Sequence, residues 1–206
     1  QYRDENADFH QIVADMANIP RKQAKTINLG LSYGMGKEKL IKELGIDDTE
    51  AESLFQQYHA NVPFIRALQD QCARVAMERG YIKTFAGRHC RFNLWESRYE
   101  RTLPLPLEEA KEKYGEDLKR SYTYKALNRL IQGSAADMTK LAMIGLWEEG
   151  IVPHLQVHDE VDISIENTEQ ANTVTRIMEN CVELAVPLLV DQELGASWGE
   201  TKEIKT

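Results

Sequence analysis

Arg21, Lys25, Leu29 and Tyr33 recur at intervals of four between Pro20 and Gly34. Steps of four around an α-helix drift by only about 40° each, so these side chains share one broad face, cationic at its N-terminal end and aromatic at the other. Two cations and the free N–H groups of a first helical turn favour phosphate, and the aromatic end offers a surface to a base. Gly30 and Gly34 each cost a helix about 1 kcal/mol relative to alanine and leave room for something flat to approach the backbone. The same spacing also describes a solvated basic start to a helix whose Leu29 and Tyr33 point into a core, and spacing alone leaves both readings open. A phosphate loop over Gly30 to Glu38 is excluded, because the glycine spacing before Gly36-Lys37 is wrong and Glu38 stands in the Ser/Thr place.

A second cluster, His158-Asp159-Glu160, sits between Leu155 and Val157 on one side and Val161, Ile163 and Ile165 on the other. The alternation is that of strands, so two adjacent carboxylates are expected at a hairpin tip. Mg²⁺ takes one or two carboxylates together with water and substrate phosphates, which such a tip can anchor; polar residues are also ordinary at a turn. His154 and His158 do not form a zinc pair, since four residues along a strand separate them by roughly 13 Å.

The elements that must hold these residues are mostly helical at first. Apolar spacing at Phe9, Ile12, Val13 and Met16 predicts a helix from about Ala7 to Ala17, and Pro20 opens a second reaching about Tyr33. A short helix from Lys37 to Leu44 ends at Gly45, Asp47 or Asp48 caps another, and Pro63 opens a long one stopped by Gly80. Ala86-Gly87 between Tyr81–Phe85 and Arg88–Phe92 reads as a hairpin. The charged stretch from Glu96 to Lys119 reads as an inserted loop with a surface helix around Glu108 to Lys119. A long helix is expected from about Tyr122 to Glu149, a further helix from about Thr168 to Val186, and a short strand near Leu188 to Leu194. The fold class is α+β.

Composition constrains function only loosely. The 206 residues are 42% hydrophobic, enough for a core. No apolar run has the length of a membrane span and no leader opens the chain, so the cytoplasm is the expected location, with no membrane partner. Cys72, Cys90 and Cys181 are too dispersed for a disulfide framework or a C-x-x-C metal site and read as buried thiols. The net charge of −8 opposes nucleic-acid binding as a whole-chain property. Its distribution softens that, with cations gathered at Arg21, Lys22, Lys25, Lys37, Lys39 and Lys42 and again from Arg79 to Arg101. The start at Gln1 rather than Met reads as a piece of something longer.

Taken together, the segments resemble a known family. Arg21-Lys-Gln-Ala-Lys25-Thr-Ile-Asn-Leu29-Gly-Leu-Ser-Tyr33-Gly34-Met resembles motif B of the family A, polymerase I-like DNA polymerases, the O helix of their fingers. Gln156-Val157-His158-Asp159-Glu160 resembles their motif C. Gly80-Tyr81 to Gly87-Arg88 is similar to the family's stretch ending in Gly-Arg, and Asn128-Arg-Leu-Ile-Gln132-Gly-Ser-Ala-Ala-Asp137 to its minor-groove motif. Pro187-Leu-Leu-Val and Trp198 look like its C-terminus. The resemblance runs in the right order over nearly the whole chain.

It implies a helical fingers subdomain over residues 1–79, with the O helix at about 20–34. An antiparallel-sheet part of the palm follows over 80–206, with the motif C hairpin at about 154–165 and an insertion at about 96–120. The implied activity is template-directed transfer of nucleotidyl groups from dNTPs to a primer 3′-hydroxyl in DNA replication. Arg21 and Lys25 are implied to grip the triphosphate, Lys25 also assisting protonation of the leaving pyrophosphate. His10, in a segment that resembles the family's Asp-x-His, is implied to reach the phosphates, and Leu29, Tyr33 and Gly34 to complete the nucleotide site. Asp159 is implied to bind Mg²⁺ with support from Glu160, His158 to lie near the primer terminus, and Arg88, Asn128 and Gln132 to touch primer-template DNA, whose minor groove offers similar acceptors at every base pair.

Several residues depart from the pattern. Leu29 replaces the Phe or Tyr of familiar members, a trait associated with bacteriophage members, and His89 replaces a second Arg. The Asp-Tyr-x-x-Ile-Glu segment that carries the family's first metal-binding aspartate precedes the fingers, and only nine residues precede His10. Two-metal chemistry needs more carboxylates than Asp159 and Glu160, so the chain alone is expected to be inactive until a chain or segment bearing that Asp-Tyr-x-x-Ile-Glu segment, the family's motif A, and the thumb completes it. The alternatives are a fragment that binds nucleotide or DNA without catalysis, and an unrelated metal-dependent hydrolase.

Overall fold

The computed structural model describes residues 8–17, 19–61 and 63–203. They divide into two compact units at Ile131/Gln132, and the architecture is α+β, helices with small antiparallel sheets.

The N-terminal unit opens with five helices: α1 (Phe9–Ala17), α2 (Arg21–Ser32), α3 (Lys37–Leu44), α4 (Asp48–Asn61) and α5 (Pro63–Arg79). Each contributes to one core, Val13 and Ala14 from α1, Ala24, Ile27 and Leu31 from α2, Leu40 from α3, Leu54 and Tyr58 from α4, and Ile65 from α5. Boundaries follow from local chemistry. Gly45 closes α3 with φ 68°, a left-handed conformation that glycine adopts without a Cβ clash. Of the two candidate caps for α4, Asp47 is the one used, its Oδ1 accepting the N–H of Thr49 at 2.8 Å and of Glu50 at 2.9 Å.

Strands β1 (Tyr81–Lys83) and β2 (His89–Arg91) pair antiparallel with Ile82 opposite Cys90. Alternation turns Ile82 toward a second core with Cys72, Ala76, Phe92, Ala126 and Leu127. It leaves Lys83, His89 and Arg91 exposed on the other face, where the Tyr81 and His89 rings stack at 4.3 Å.

The stretch from Glu96 to Lys119 holds more structure than its sequence predicts. Besides α6 (Leu107–Tyr114), it forms β3 (Leu94–Ser97), β4 (Leu105–Pro106) and β5 (Leu118–Arg120), in the antiparallel order β4-β3-β5. The helix stops at Tyr114, not Lys119, because Gly115 turns the chain out with φ 83° and residues 118–120 pair with β3 instead.

The long helix α7 (Ala126–Glu148) starts later than expected, after a 3-10 turn over Thr123–Lys125, and runs across the boundary between the units. The C-terminal unit continues with β6 (Pro153–Val157), β7 (Glu160–Ile163) and α8 (Thr168–Glu179), the last capped by Asn167 Oδ1 accepting from Gln170 N at 3.0 Å. Helix α8 ends at Glu179, seven residues short of the expected Val186. In place of a strand over 188–194, only β8 (Glu193–Leu194) forms, paired with β9 (Lys202–Glu203). Cys72 is buried, as expected, whereas Cys90 and Cys181 are half-buried; all three are free thiols. No helix among the described residues is long and apolar enough to cross a membrane.

Candidate functional site

Helix α2 buries Ala24, Ile27, Asn28 and Leu31, all at most 4% exposed. The opposite side therefore faces solvent, and Arg21, Lys25 and Leu29 lie on it, Leu29 being 42% exposed. The alternative in which Leu29 points into the core does not hold; Tyr33 is half-buried at the helix end. An aliphatic side chain displayed beside two cations suits contact with an amphipathic ligand such as a nucleotide.

The first turn of α2 has no side-chain cap at Pro20, which leaves it open to an anion. Arg21 Nε donates to Asp8 Oδ2 at 2.6 Å, and the hydrogen bond from Arg21, with that from the Gln11 backbone N–H, holds the Asp8 carboxyl below its ordinary value. With Nε engaged, the terminal nitrogens of the guanidinium form the fork that can meet phosphate. Behind this face, His10 Nδ1 lies 3.2 Å from Asn28 Nδ2, and the Tyr58 hydroxyl donates to Asn28 Oδ1 at 2.9 Å.

The two glycines behave differently. Gly34 has φ 84°, which glycine tolerates and a β-carbon opposes. The space over Gly30 is taken by the Met35 side chain, whose Cε would sit 2.0 Å from a β-carbon there. Gly30 thus admits Met35, not a flat ligand.

In the C-terminal unit β6 and β7 pair with Val157 opposite Glu160, and the turn between them places His158 at φ 57° and leaves Asp159 and Glu160 exposed. Gln156 Nε2 donates to the His158 carbonyl, bracing the turn. Glu160 Oε1 accepts from the Trp198 indole N–H at 3.2 Å, and Asp162 Oδ2, two residues along the same strand, is buried without a hydrogen-bond partner among the described residues. Hard carboxylate oxygens at an exposed tip fit a divalent cation such as Mg²⁺. Among the described residues no group of three or more His, Cys, Asp or Glu side chains converges to hold an ion.

Of the remaining predicted contacts, Arg88 is exposed in the β1–β2 turn, its backbone N–H donating to Thr84 Oγ1 at 3.0 Å. Asn128 is half-buried near the start of α7, with its Oδ1 buried and without a hydrogen-bond partner among the described residues, and Gln132 is exposed on the same helix. Asp8, Asn28, Tyr58 and the Trp198 contact escaped the sequence reading. Asn28 left a usable signal, a polar residue set in the apolar stripe of Ala24, Ile27 and Leu31, where an amide must find partners.

Residues 3–200 match the family model described as DNA polymerase family A. The chain is 36% identical to a DNA-directed DNA polymerase of Pseudomonas phage M6, over 98% of this chain and 32% of that protein. It is 34% identical to the thermostable DNA polymerase I of Thermus aquaticus, over 90% of this chain and 21% of that one. Among solved structures it is similar to the POL domain of Pol1 from M. smegmatis in complex with DNA primer-template and dNTP. That match has a TM-score of 0.67 at 28% identity, and covers 88% of this chain and 32% of the other. The chain thus spans about a third or less of the length of these relatives.

Proposed function

The chain belongs to DNA polymerase family A, and from that premise we propose that it is the fingers and the C-terminal part of the palm of a template-directed DNA polymerase, acting on dNTPs and primer-template DNA. The single observation that carries this reading is the solvent-facing side of α2, which displays Arg21, Lys25 and Leu29 while the apolar stripe lies behind. Residues 1–79 are read as fingers and 80–206 as palm, in the cytoplasm of a bacterium or a phage-infected host.

In this reading Arg21 and Lys25 hold the triphosphate with the open first turn of α2, and His10 donates a further hydrogen bond to it. Leu29 packs against the sugar, while Tyr33 and Gly34 border the templating position. Asp159 and Glu160 would hold Mg²⁺, which when bound would supply activation of the primer hydroxyl and stabilisation of the leaving oxygen. The primer 3′-hydroxyl gives up its proton to solvent as its oxygen forms the bond to the α-phosphorus and the bond to pyrophosphate breaks; the Lys25 ammonium gives a proton to that leaving group and is reprotonated from solvent. His158 neighbours the primer terminus. Arg88, Asn128 and Gln132 touch the duplex, where phosphate and minor-groove contacts position DNA without reading its sequence.

The partial carboxylate set favours a second statement about these 206 residues by themselves: they bind nucleotide or DNA without catalysis, and polymerise once a segment supplying motif A and the thumb joins them. The test is primer extension by the chain combined with the preceding domains of a family relative. The expected outcome is extension that Lys25→Ala reduces at least tenfold while duplex affinity stays near its original value. Incorporation kinetics indifferent to Lys25 refute the assignment of α2.

A further inference from the structure

Asn28 stands behind the exposed side of α2 at 4% exposure, with Tyr58 of α4 at 1% exposure behind it. The Tyr58 hydroxyl donates to Asn28 Oδ1 at 2.9 Å and lies 3.5 Å from the Asn28 carbonyl oxygen, so the oxygen end of the amide faces Tyr58. The NH₂ end therefore faces His10, with Nδ2 at 3.2 Å from Nδ1. An amide NH₂ donates and does not accept, so Nδ1 of His10 must offer its lone pair. A neutral imidazole whose Nδ1 accepts carries its proton on Nε2.

We propose that Asn28, oriented by Tyr58, is a positioning residue that fixes the His10 ring in the Nε2–H form, so that His10 presents a neutral N–H donor to the triphosphate. The inference rests on the reading in which His10 meets the phosphates, and it deepens that reading by naming what sets the donor. A buried amide would be satisfied by water or backbone in many places in a core; here both of its ends are spent on a line running from α4 through α2 to α1. Two unbonded tautomers would share the population. A line that removes one of them removes the fraction of molecules presenting a lone pair where a phosphate needs a proton.

The opposite orientation of the amide, with NH₂ against Tyr58 and Oδ1 against His10, demands a proton on Nδ1. The two arrangements therefore predict opposite imidazole spectra. Long-range ¹H–¹⁵N spectra of the 206-residue chain, with His10 assigned by loss of its signals in His10→Gln, distinguish them. The expected result is an unprotonated Nδ1 and a protonated Nε2 whose resonance moves when dATP is added. Asn28→Asp keeps the shape and the Tyr58 contact but turns an acceptor toward the ring, and should move the proton onto Nδ1. Tyr58→Phe frees the amide to rotate, and should mix the tautomers and weaken dATP about twofold, the share of rings left without the donor.

A role confined to packing predicts no tautomer change in Asn28→Asp. Protonated Nδ1 in the unsubstituted chain, or a tautomer that ignores Asn28→Asp, overturns the positioning role and leaves the nucleotide site standing. Binding of dATP that requires Lys25 but leaves Nε2 unmoved overturns the His10 contact. Absence of any Lys25-dependent binding overturns the function from which the inference starts.

Discussion

Arg21, the first residue of α2, reaches back across the turn to Asp8 with its Nε 2.6 Å from Oδ2, and both side chains remain open to solvent. Exposed ion pairs contribute little to stability, so the contact orients the guanidinium more than it holds the fold. Its pH dependence has a definite sign. Asp8 titrates below its ordinary 3.8 because Arg21 and the Gln11 N–H bind the ionised form, so the pair is intact above 3.8 and is lost as pH falls through the lowered value. Arg21→Ala should leave the melting temperature nearly unchanged at neutral pH and weaken dNTP binding about tenfold or more, the scale of a lost charge-assisted phosphate contact. Calorimetric melting and nucleotide titration of the same protein check the two halves; a large drop in melting temperature with unchanged affinity contradicts the assignment.

His59 of α4 packs edge-on against Phe55, with ring centroids 4.4 Å apart, and its Nδ1 is buried without a hydrogen-bond partner among the described residues. Burial, with the charge of Arg66 adding to it, pushes the imidazole below 6.5. The folded state then binds fewer protons than the unfolded one below that pH, so His59 leaves stability intact above about 6.5 and lowers it as pH falls. Urea unfolding followed between pH 7.5 and 5 should show this decline, and His59→Leu should flatten it. An identical slope in the two proteins rejects the attribution.

How much was legible in the sequence follows from the range of each interaction. Helix α2 and its exposed face were readable because a four-residue repeat is a local property, and the β6–β7 tip because strand alternation brackets it. The sheet of β3, β4 and β5 was not: β4 has two residues and β5 three, too short to show alternation, and both are defined by pairing to β3. Sequence pattern overstates the length of α8, because the apolar residues beyond Asn180 continue its spacing while the backbone does not. The line from Tyr58 to His10 joins residues 30 and 18 positions from Asn28, a distance no spacing rule covers. The space over Gly30 is hidden from the sequence for the converse reason: its neighbour Met35 is close in sequence, but only the turn after α2 lays that side chain over it.

Gly80 carries a stability prediction. It ends α5 with φ 78°, and a β-carbon there would lie 2.7 Å from Cζ of Arg120. That guanidinium donates to the Met77 carbonyl at 3.2 Å and the Phe92 carbonyl at 2.9 Å and rests 4.3 Å over the Trp95 ring, tying β5 and β3 to α5 and to the end of the β1–β2 hairpin. Gly80→Ala should cost about 1–2 kcal/mol for the left-handed conformation and a further amount for displacing Arg120. The two contributions separate in a double-mutant cycle: in an Arg120→Ala background Gly80→Ala should cost less, leaving the backbone part. Strict additivity in urea melts shows that the glycine is required for its φ alone.

Asp159 offers the sharpest separation of chemistry from folding. It is exposed in a turn whose geometry is held by others, by the β6–β7 pairing, by Gln156 on the His158 carbonyl and by the Trp198 indole on Glu160. Asp159→Asn removes one negative charge at nearly constant volume, so the fold should survive with its unfolding midpoint unchanged. The loss falls on the cation. Neighbouring carboxylates attract a divalent ion jointly, and an amide oxygen donates less charge to it, so Mn²⁺ binding followed by electron paramagnetic resonance should weaken. In the completed enzyme primer extension should fall by orders of magnitude, since each 1.4 kcal/mol of lost transition-state stabilisation is a factor of ten. Glu160→Gln should do less under the proposed assignment, because Oε1 of Glu160 is already engaged by the Trp198 indole N–H. If Asp159→Asn extends primers at the original rate while Glu160→Gln does not, the two carboxylates have exchanged roles and the metal is centred on Glu160.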